Sequence, residues 1–356
     1  MPIKKIAFFT VILAACLWFL VYEFKREQPL PASPVEQNNE ARETVSPKQI
    51  KAIYITAQTA SRRSRTDELI NLIKTTDLNA LVITVKDSDG TYLNEGMARL
   101  VKQLREENIY PIARIVAFQD NALAKTRPDL ALRNTAGNLW VGGAKYLWVD
   151  PASQEVWSRI VAVAQQALEM GFREINFDYI RFPSDGDVRE IVFPIYDKQR
   201  SQEQVMRDFY AYLTKHLRQN QPEAILSIDV FAYSFLKNDG LGVGQRVGDA
   251  AAYFDVVSPM VYPSHYASGN FGFVNPAEEP YEVVRQTLEK GKALLAAASS
   301  TAIIRPWIQD FNIGADYNAQ MVQEEMRAVR DAGFGNTWMV WNPSNIYEKE
   351  EFLELP

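Results

Sequence analysis

Cysteine and histidine are nearly missing from this 356-residue chain, which holds one of the first, Cys16, and two of the second, His216 and His265. A lone thiol near the amino terminus gives no disulfide framework and no thiol nucleophile for the rest of the chain. Two histidines exclude a multi-histidine metal site within one chain, and no residue pattern calls for a metal or another cofactor. Glycine-rich phosphate loops are also lacking. Residues 56–61, which follow the first strand-like run, contain no glycine, and no Gly-x-x-x-x-Gly-Lys-Ser/Thr occurs. Gly240-Leu241-Gly242-Val243-Gly244 lacks the dinucleotide spacing, so no nucleotide is expected. Positive charge is short too. A net charge of -6 and an isoelectric point near 5.3 argue against a polyanion-binding surface and a nucleic-acid partner.

What is present begins with Lys4-Lys5, followed by an apolar run from Ile6 to Val21 that continues through Phe24 to Lys25-Arg26. Roughly 19 residues at about 1.5 Å each reach about 28 Å, near the thickness of a bilayer's hydrocarbon core. Residues 1–26 are therefore expected to form a single transmembrane signal anchor with its amino terminus in the cytoplasm. Two alternatives remain: a cleaved signal peptide, and a lipoprotein in which Leu13-Ala14-Ala15-Cys16 acts as a lipobox. All three export the main domain. Residues 27–48 are rich in Pro, Gln, Asn, Glu and Ser and read as a flexible tether, leaving residues 49–356 as the folded domain.

From Lys51 onward, strand-like runs alternate with helical patterns. The predicted strands are Ala52 to Thr56, Ala80 to Lys86, Ile112 to Phe118, Glu174 to Asp178, Ala224 to Val230, Val256 to Tyr262, Ala302 to Asp310 and Thr337 to Trp341. A helix is predicted from Ser153 to Met170, opened by Asp150-Pro151 and Ser153 and closed by Gly171; another is predicted to start at Thr66-Asp67-Glu68. Eight strands with intervening helices point to a (β/α)₈ TIM barrel, whose site lies at the carboxyl ends of the strands. A doubly wound open sheet is the alternative, and it would usually carry the missing glycine-rich loop. The longest connection, residues 119–172, is expected to hold a hairpin between Gly137–Trp140 and Tyr146–Trp148 over the barrel mouth.

Carboxylates recur where these strands end. Asp178 closes Glu174-Ile175-Asn176-Phe177, Asp87 follows the second strand, Asp229 stands on the fifth, and Gln309-Asp310 close the seventh. An ionisable group in a strand buried on both faces is costly unless it is partnered, so these residues imply one shared site. Period-two alternation puts Asn176 and Asp178 on one side of their strand, and Ser227 and Asp229 on one side of theirs. Two converging carboxylates suit glycoside hydrolysis, in which one meets the positive charge on the sugar ring and the other donates a proton to the leaving oxygen. Asp178 and Asp229 are the expected pair, and Asp310 is a further candidate for stabilising the transition state. Asp87, Arg181, Tyr262, His265, Trp307 and Trp341 are candidates for substrate contact, because sugars need ring faces beside polar groups. Each has a plainer reading. Asp87-Ser88-Asp89-Gly90 is also a turn sequence, Asp229 could cap a helix, and Arg181 is expected either to orient Asp178 or to serve structure.

The segments Phe177-Asp178-Tyr179-Ile180-Arg181-Phe182-Pro183, Ser258-Pro259-Met260-Val261-Tyr262-Pro263-Ser264-His265-Tyr266, Arg305-Pro306-Trp307-Ile308-Gln309-Asp310-Phe311 and Trp338-Met339-Val340-Trp341-Asn342 together resemble a bacterial glycoside-hydrolase-like family. It was formerly classed as a domain of unknown function and is related to α-amylase-like TIM barrels. The resemblance runs from about Lys51 to Pro343. It implies an exported or anchored barrel acting on polysaccharide, with Asp178 at the position that amylase-like barrels use for their nucleophile. Those barrels commonly carry Glu on the fifth strand, where Asp229 stands here. A non-catalytic carbohydrate-binding barrel and an envelope scaffold are the alternative functions. A metal-dependent deacetylase fits less well, since His216 and His265 are not paired beside an Asp.

Overall fold

Runs rich in Ile, Val and Leu form the parallel strands β1 (Lys51–Ile55), β2 (Ala80–Lys86), β3 (Tyr110–Val116), β4 (Glu174–Asp178), β5 (Ile225–Phe231), β6 (Val256–Met260), β7 (Ile303–Ile304), β8 (Trp307–Gln309) and β9 (Trp338–Trp341). Each pairs in parallel with its neighbour, β5 with β6, and β9 returns to β1, so the sheet closes. The computed structural model describes residues 49–353. The expected anchor and tether lie outside the described residues, and among those described no helix is long and apolar enough to cross a membrane.

The barrel has eight staves, because β7 and β8 share one: β6 pairs with both. The sequence reading has a single strand there, from Ala302 to Asp310. Pro306 interrupts it, since proline offers no N–H to the ladder. Beside it, Arg305 Nη1 donates to both carboxylate oxygens of Glu174 at the start of β4, at 2.8 and 3.0 Å.

Helices α1 (Arg63–Lys74), α2 (Glu95–Glu106), α3 (Gln154–Met170), α4 (Gln202–Asn220), α5 (Val247–Tyr253), α6 (Pro280–Ala297) and α7 (Ala319–Val329) are the longer ones of the surrounding layer. In α3 the predicted signals do their work: Ser153 Oγ accepts the Val156 N–H at 3.3 Å, and Gly171 takes φ 107 at the carboxyl end. Its buried stripe includes Val156, Trp157, Ile160, Ala164 and Leu168. Helix α1 departs from expectation. It begins at Arg63 rather than Thr66, without a side-chain cap, so Asp67 and Glu68 fall beyond its first turn.

Two apolar layers follow from the period-two alternation. Ala52, Tyr54, Val82, Ile112 and Met339 fill the interior, while Ile53, Ile55, Leu81, Ile83 and Ile115 pack against the helices. Burying each such aliphatic side chain contributes about 1.5–3 kcal/mol before entropy is charged. The connection between β3 and β4 is an irregular antiparallel ribbon, with bridges between Val141 and Leu147, Arg133 and Leu139, and Gln119 and Trp148. It is fastened to residues 185–196, where Asp150 accepts the Ile195 and Tyr196 N–H groups at 2.8 and 2.9 Å. Trp140 and Trp148 are buried in this ribbon rather than presented to a ligand.

Candidate active site

Parallel register sets the site. Arg114 on β3 lies beside Asn176 on β4, and Asn176 lies beside Ser227 on β5. One more inward step up the strands reaches Asp178 and Asp229. Both line one cavity of about 390 Å³ at the barrel mouth, together with Arg114, Arg181, Tyr262 and His265.

Asp178 is held on both oxygens. Arg114 Nε donates to Oδ2 at 3.1 Å and Nη2 donates to the same oxygen, while the Tyr179 N–H donates to Oδ1 at 2.6 Å. Arg114 Nη1 also donates to Thr84 Oγ1 at 3.3 Å, and its guanidinium lies 5.0 Å from the Trp341 ring and 5.5 Å from the Tyr54 ring. Burial pulls the Arg114 guanidinium down, but the charge of Asp178 outweighs it with help from other neighbours, and the net movement is upward. Arg114 is therefore the firmly charged partner of Asp178, and the sequence reading missed it. The signal was available as a lone cation inside Tyr110-Pro111-Ile112-Ala113-Arg114-Ile115-Val116.

Of the two readings of Arg181, orienting Asp178 or serving structure, the first does not hold, since no hydrogen bond or ion pair joins it to Asp178. Tyr179 adopts φ 50, which turns the chain out of strand geometry straight after Asp178. Arg181 Nη1 instead donates to the Phe182 carbonyl at 3.0 Å and to Ser184 Oγ at 3.1 Å.

Asp229 caps no helix. Its Oδ1 accepts from Asn176 Nδ2 at 2.8 Å and from Trp307 Nε1 at 2.7 Å. Burial pushes its carboxyl well up, and the negative charge of Asp178 pushes the same way against the two hydrogen bonds and Arg114. Tyr262 moves upward for the same first reason, burial, with Asp229 and Asp178 adding to it, so its phenol also keeps its proton.

The other predicted residues divide. Tyr262, His265, Trp307 and Trp341 line the cavity. Ser264 Oγ donates to Gln309 Oε1 at 2.8 Å, and the same oxygen accepts the Ser264 N–H at 3.1 Å while Gln309 Nε2 donates to the Phe311 carbonyl. With its one proton spent, Ser264 Oγ accepts from His265 Nδ1 at 3.0 Å. The neutral imidazole thus keeps Nε2 as an acceptor. Glu325, buried on α7 and unnoticed in the sequence, anchors this arrangement by accepting the Gln309 N–H at 2.9 Å.

Asp310 and Asp87 stand apart. Asp310 Oδ2 accepts from Asn342 Nδ2 at 2.8 Å, and burial pushes its carboxyl up to about 6, but it is not part of the cavity wall. Asp87 Oδ1 accepts from the Asp89 and Gly90 N–H groups and from the Tyr92 hydroxyl, which makes it the hub of its turn, and it borders a separate groove. Among the described residues no group of three or more His, Cys, Asp or Glu is placed to hold a metal ion.

A closed parallel barrel with two acids meeting at the carboxyl ends of adjacent strands is the architecture of glycosidase-like enzymes. The chain belongs to the family described as "Putative glycosyl hydrolase domain", which matches residues 52–347. Among solved structures, it is similar in fold to the PgaB (BpsB) glycoside hydrolase domain from Bordetella bronchiseptica, with TM-score 0.61, 12% identity, and 82% of this chain and 94% of that one covered. It is also similar to the α-galactosidase TtGalA from Thermus thermophilus, with TM-score 0.53, 15% identity, and 86% and 61% covered. Amy13B from Eubacterium rectale aligns with TM-score 0.52 at 10% identity, with 83% and 65% covered. At these identities the likeness is one of fold. Comparison with curated protein sequences finds no match.

Proposed function

We propose that this chain hydrolyses glycosidic bonds of a polysaccharide, with Asp178 meeting the positive charge that develops at the anomeric carbon and Asp229 protonating the leaving oxygen. The observation that carries this reading is the unlike treatment of two acids in one cavity. Asp178 is ion-paired to Arg114, whereas burial, helped by the charge of Asp178, pushes the Asp229 carboxyl well up. A general acid needs its proton at the working pH, and a nucleophile or charge stabiliser needs to be without it. Because the charge of Asp178 is one cause of the upward push on Asp229, bonding of Asp178 to the sugar would remove that push. Asp229 would then give up its proton more readily, as the acid-to-base exchange of a double-displacement reaction requires.

Trp307 and Asn176 orient the acid, Tyr262 and Trp341 supply ring surface for the sugar, and the His265 Nε2 lone pair accepts from a sugar hydroxyl. We place the substrate outside the cytoplasmic membrane, on the strength of the amino-terminal apolar run and tether. The test is a screen of the soluble domain against cell-wall and exopolysaccharide fractions, reading released reducing ends with Asp178→Asn as the control. Release by wild type alone supports the reading, and equal release by both proteins rejects Asp178.

A further inference from the structure

Arg181 is a buried cation with no ion-pair partner among the described residues. The residue is only 7% exposed and lines the catalytic cavity. Its two hydrogen bonds, to the Phe182 carbonyl and Ser184 Oγ, both leave from Nη1. Nε and Nη2 have no protein acceptor among the described residues, and neither is sealed from solvent. Three rings surround the guanidinium, with centroids at 4.6 Å for Phe231, 5.1 Å for Trp148 and 5.3 Å for Tyr179.

Aromatic faces offset part of the cost of a buried cation but leave its in-plane hydrogens unused. The edge formed by Nε and Nη2 is the edge that binds a carboxylate through two parallel hydrogen bonds. Asp178 does not fill that place: its oxygens accept from Arg114 and the Tyr179 N–H, and no hydrogen bond or ion pair joins it to Arg181. Burial pulls Arg181 below the ordinary arginine range, and the negative charges of Asp178 and Asp185 only partly oppose this.

We infer that Arg181 is the subsite for a carboxylate on the substrate, and that the polysaccharide is acidic, with uronic-acid residues seated beside the scissile bond. One unpaired guanidinium matches one negative charge. A dianionic phosphate would set a second charge against Asp178 with no cation left to meet it. This inference rests on the reading of the cavity as a glycan site, and it adds the chemical class of the glycan.

The experiment compares oligo-glucuronate and oligo-galacturonate with the same oligomers after reduction of their carboxyl groups to alcohols. Binding to the full chain is read by calorimetry and turnover by released reducing ends. The expected result is that wild type binds at least one acidic oligomer tenfold or more tighter than its reduced form, and that Arg181→Met brings this ratio to about one. Arg181→Lys keeps the charge without the planar edge and is expected to retain only part of the ratio. A wild-type ratio near one for both pairs overturns the inference, and this arm does not depend on any variant folding. A ratio that survives Arg181→Met in folded protein, confirmed by its melting transition, overturns it as well. Arg181-dependent preference with no turnover of any oligomer would uphold the carboxylate subsite and count against the hydrolase reading. Turnover of reduced oligomers without preference would do the reverse.

Discussion

Strand β4 begins with Glu174 and ends with Asp178, and the two ends of this one strand treat their acids differently. At the lower end, Glu174 and Arg305 are both fully buried and joined through two contacts, and neither borders the cavity. At the mouth, two acids and two arginines share one space: Asp178 pairs with Arg114, burial pushes the Asp229 carboxyl towards its neutral form, and Arg181 has no ion-paired carboxylate among the described residues. The lower pair balances its charges and joins β4 to the stave of β7 and β8. The upper set is incomplete, which leaves it able to act on something else.

Breaking the upper pair gives the largest effect. Asp178→Asn is expected to lower kcat by on the order of 10⁴-fold or more. Because Arg114 is left buried without its partner, the variant also loses stability, by up to about 3–5 kcal/mol in urea unfolding. Rate loss with no stability loss would mean that Arg114 finds another counter-charge. Asp229→Asn comes next, with a kcat loss of about 10²–10⁴-fold for sugar leaving groups. Activated aryl leaving groups should be largely spared, and equal loss for both would remove Asp229 as the acid. The wild-type rate should fall as pH rises through the raised value of Asp229.

Glu174→Gln inverts the pattern. It should cost about 3–5 kcal/mol of stability while kcat stays unchanged at temperatures where the variant is folded, and a fall in kcat would show that the two ends are coupled. Asp310→Asn should also leave turnover in place. Its folded-state carboxyl sits at about 6 against an ordinary 3.8, so the wild type loses stability as pH rises through that window. The variant should therefore melt higher above pH 6 and match wild type below about pH 4. Ser264→Ala is the smallest change. It frees the His265 tautomer and should raise KM by a few-fold, about 1 kcal/mol, with kcat little altered.

The fold was legible because buried parallel strands must be apolar along their length, and that pattern recurred eight times. Among the strands only the seventh stave misled, where Pro306 divides a run that hydropathy alone treats as continuous. Asp178 and Asp229 stood out as charges at the ends of apolar runs, and period-two alternation was enough to aim both inward. The arginine pairing was not legible. Arg181 is three residues from Asp178 in sequence, whereas Arg114 is 64 away and reaches it only through the β3–β4 register. Asp310 and Asp87 matched the pattern of strand-end acids but lie just past the last inward position, where loop hydrogen bonds claim them. Glu325 sits on a helix amid polar neighbours, and nothing local marks it as buried.

Tyr179 carries one more consequence. A tyrosine at φ 50 occupies a backbone region natural to glycine, at a cost of about 1–3 kcal/mol. Glycine there would relieve that cost and would also remove the ring beside Arg181 and loosen the N–H aimed at Asp178. Tyr179→Gly would therefore exchange backbone strain for the loss of a packed ring and a looser hold on Asp178.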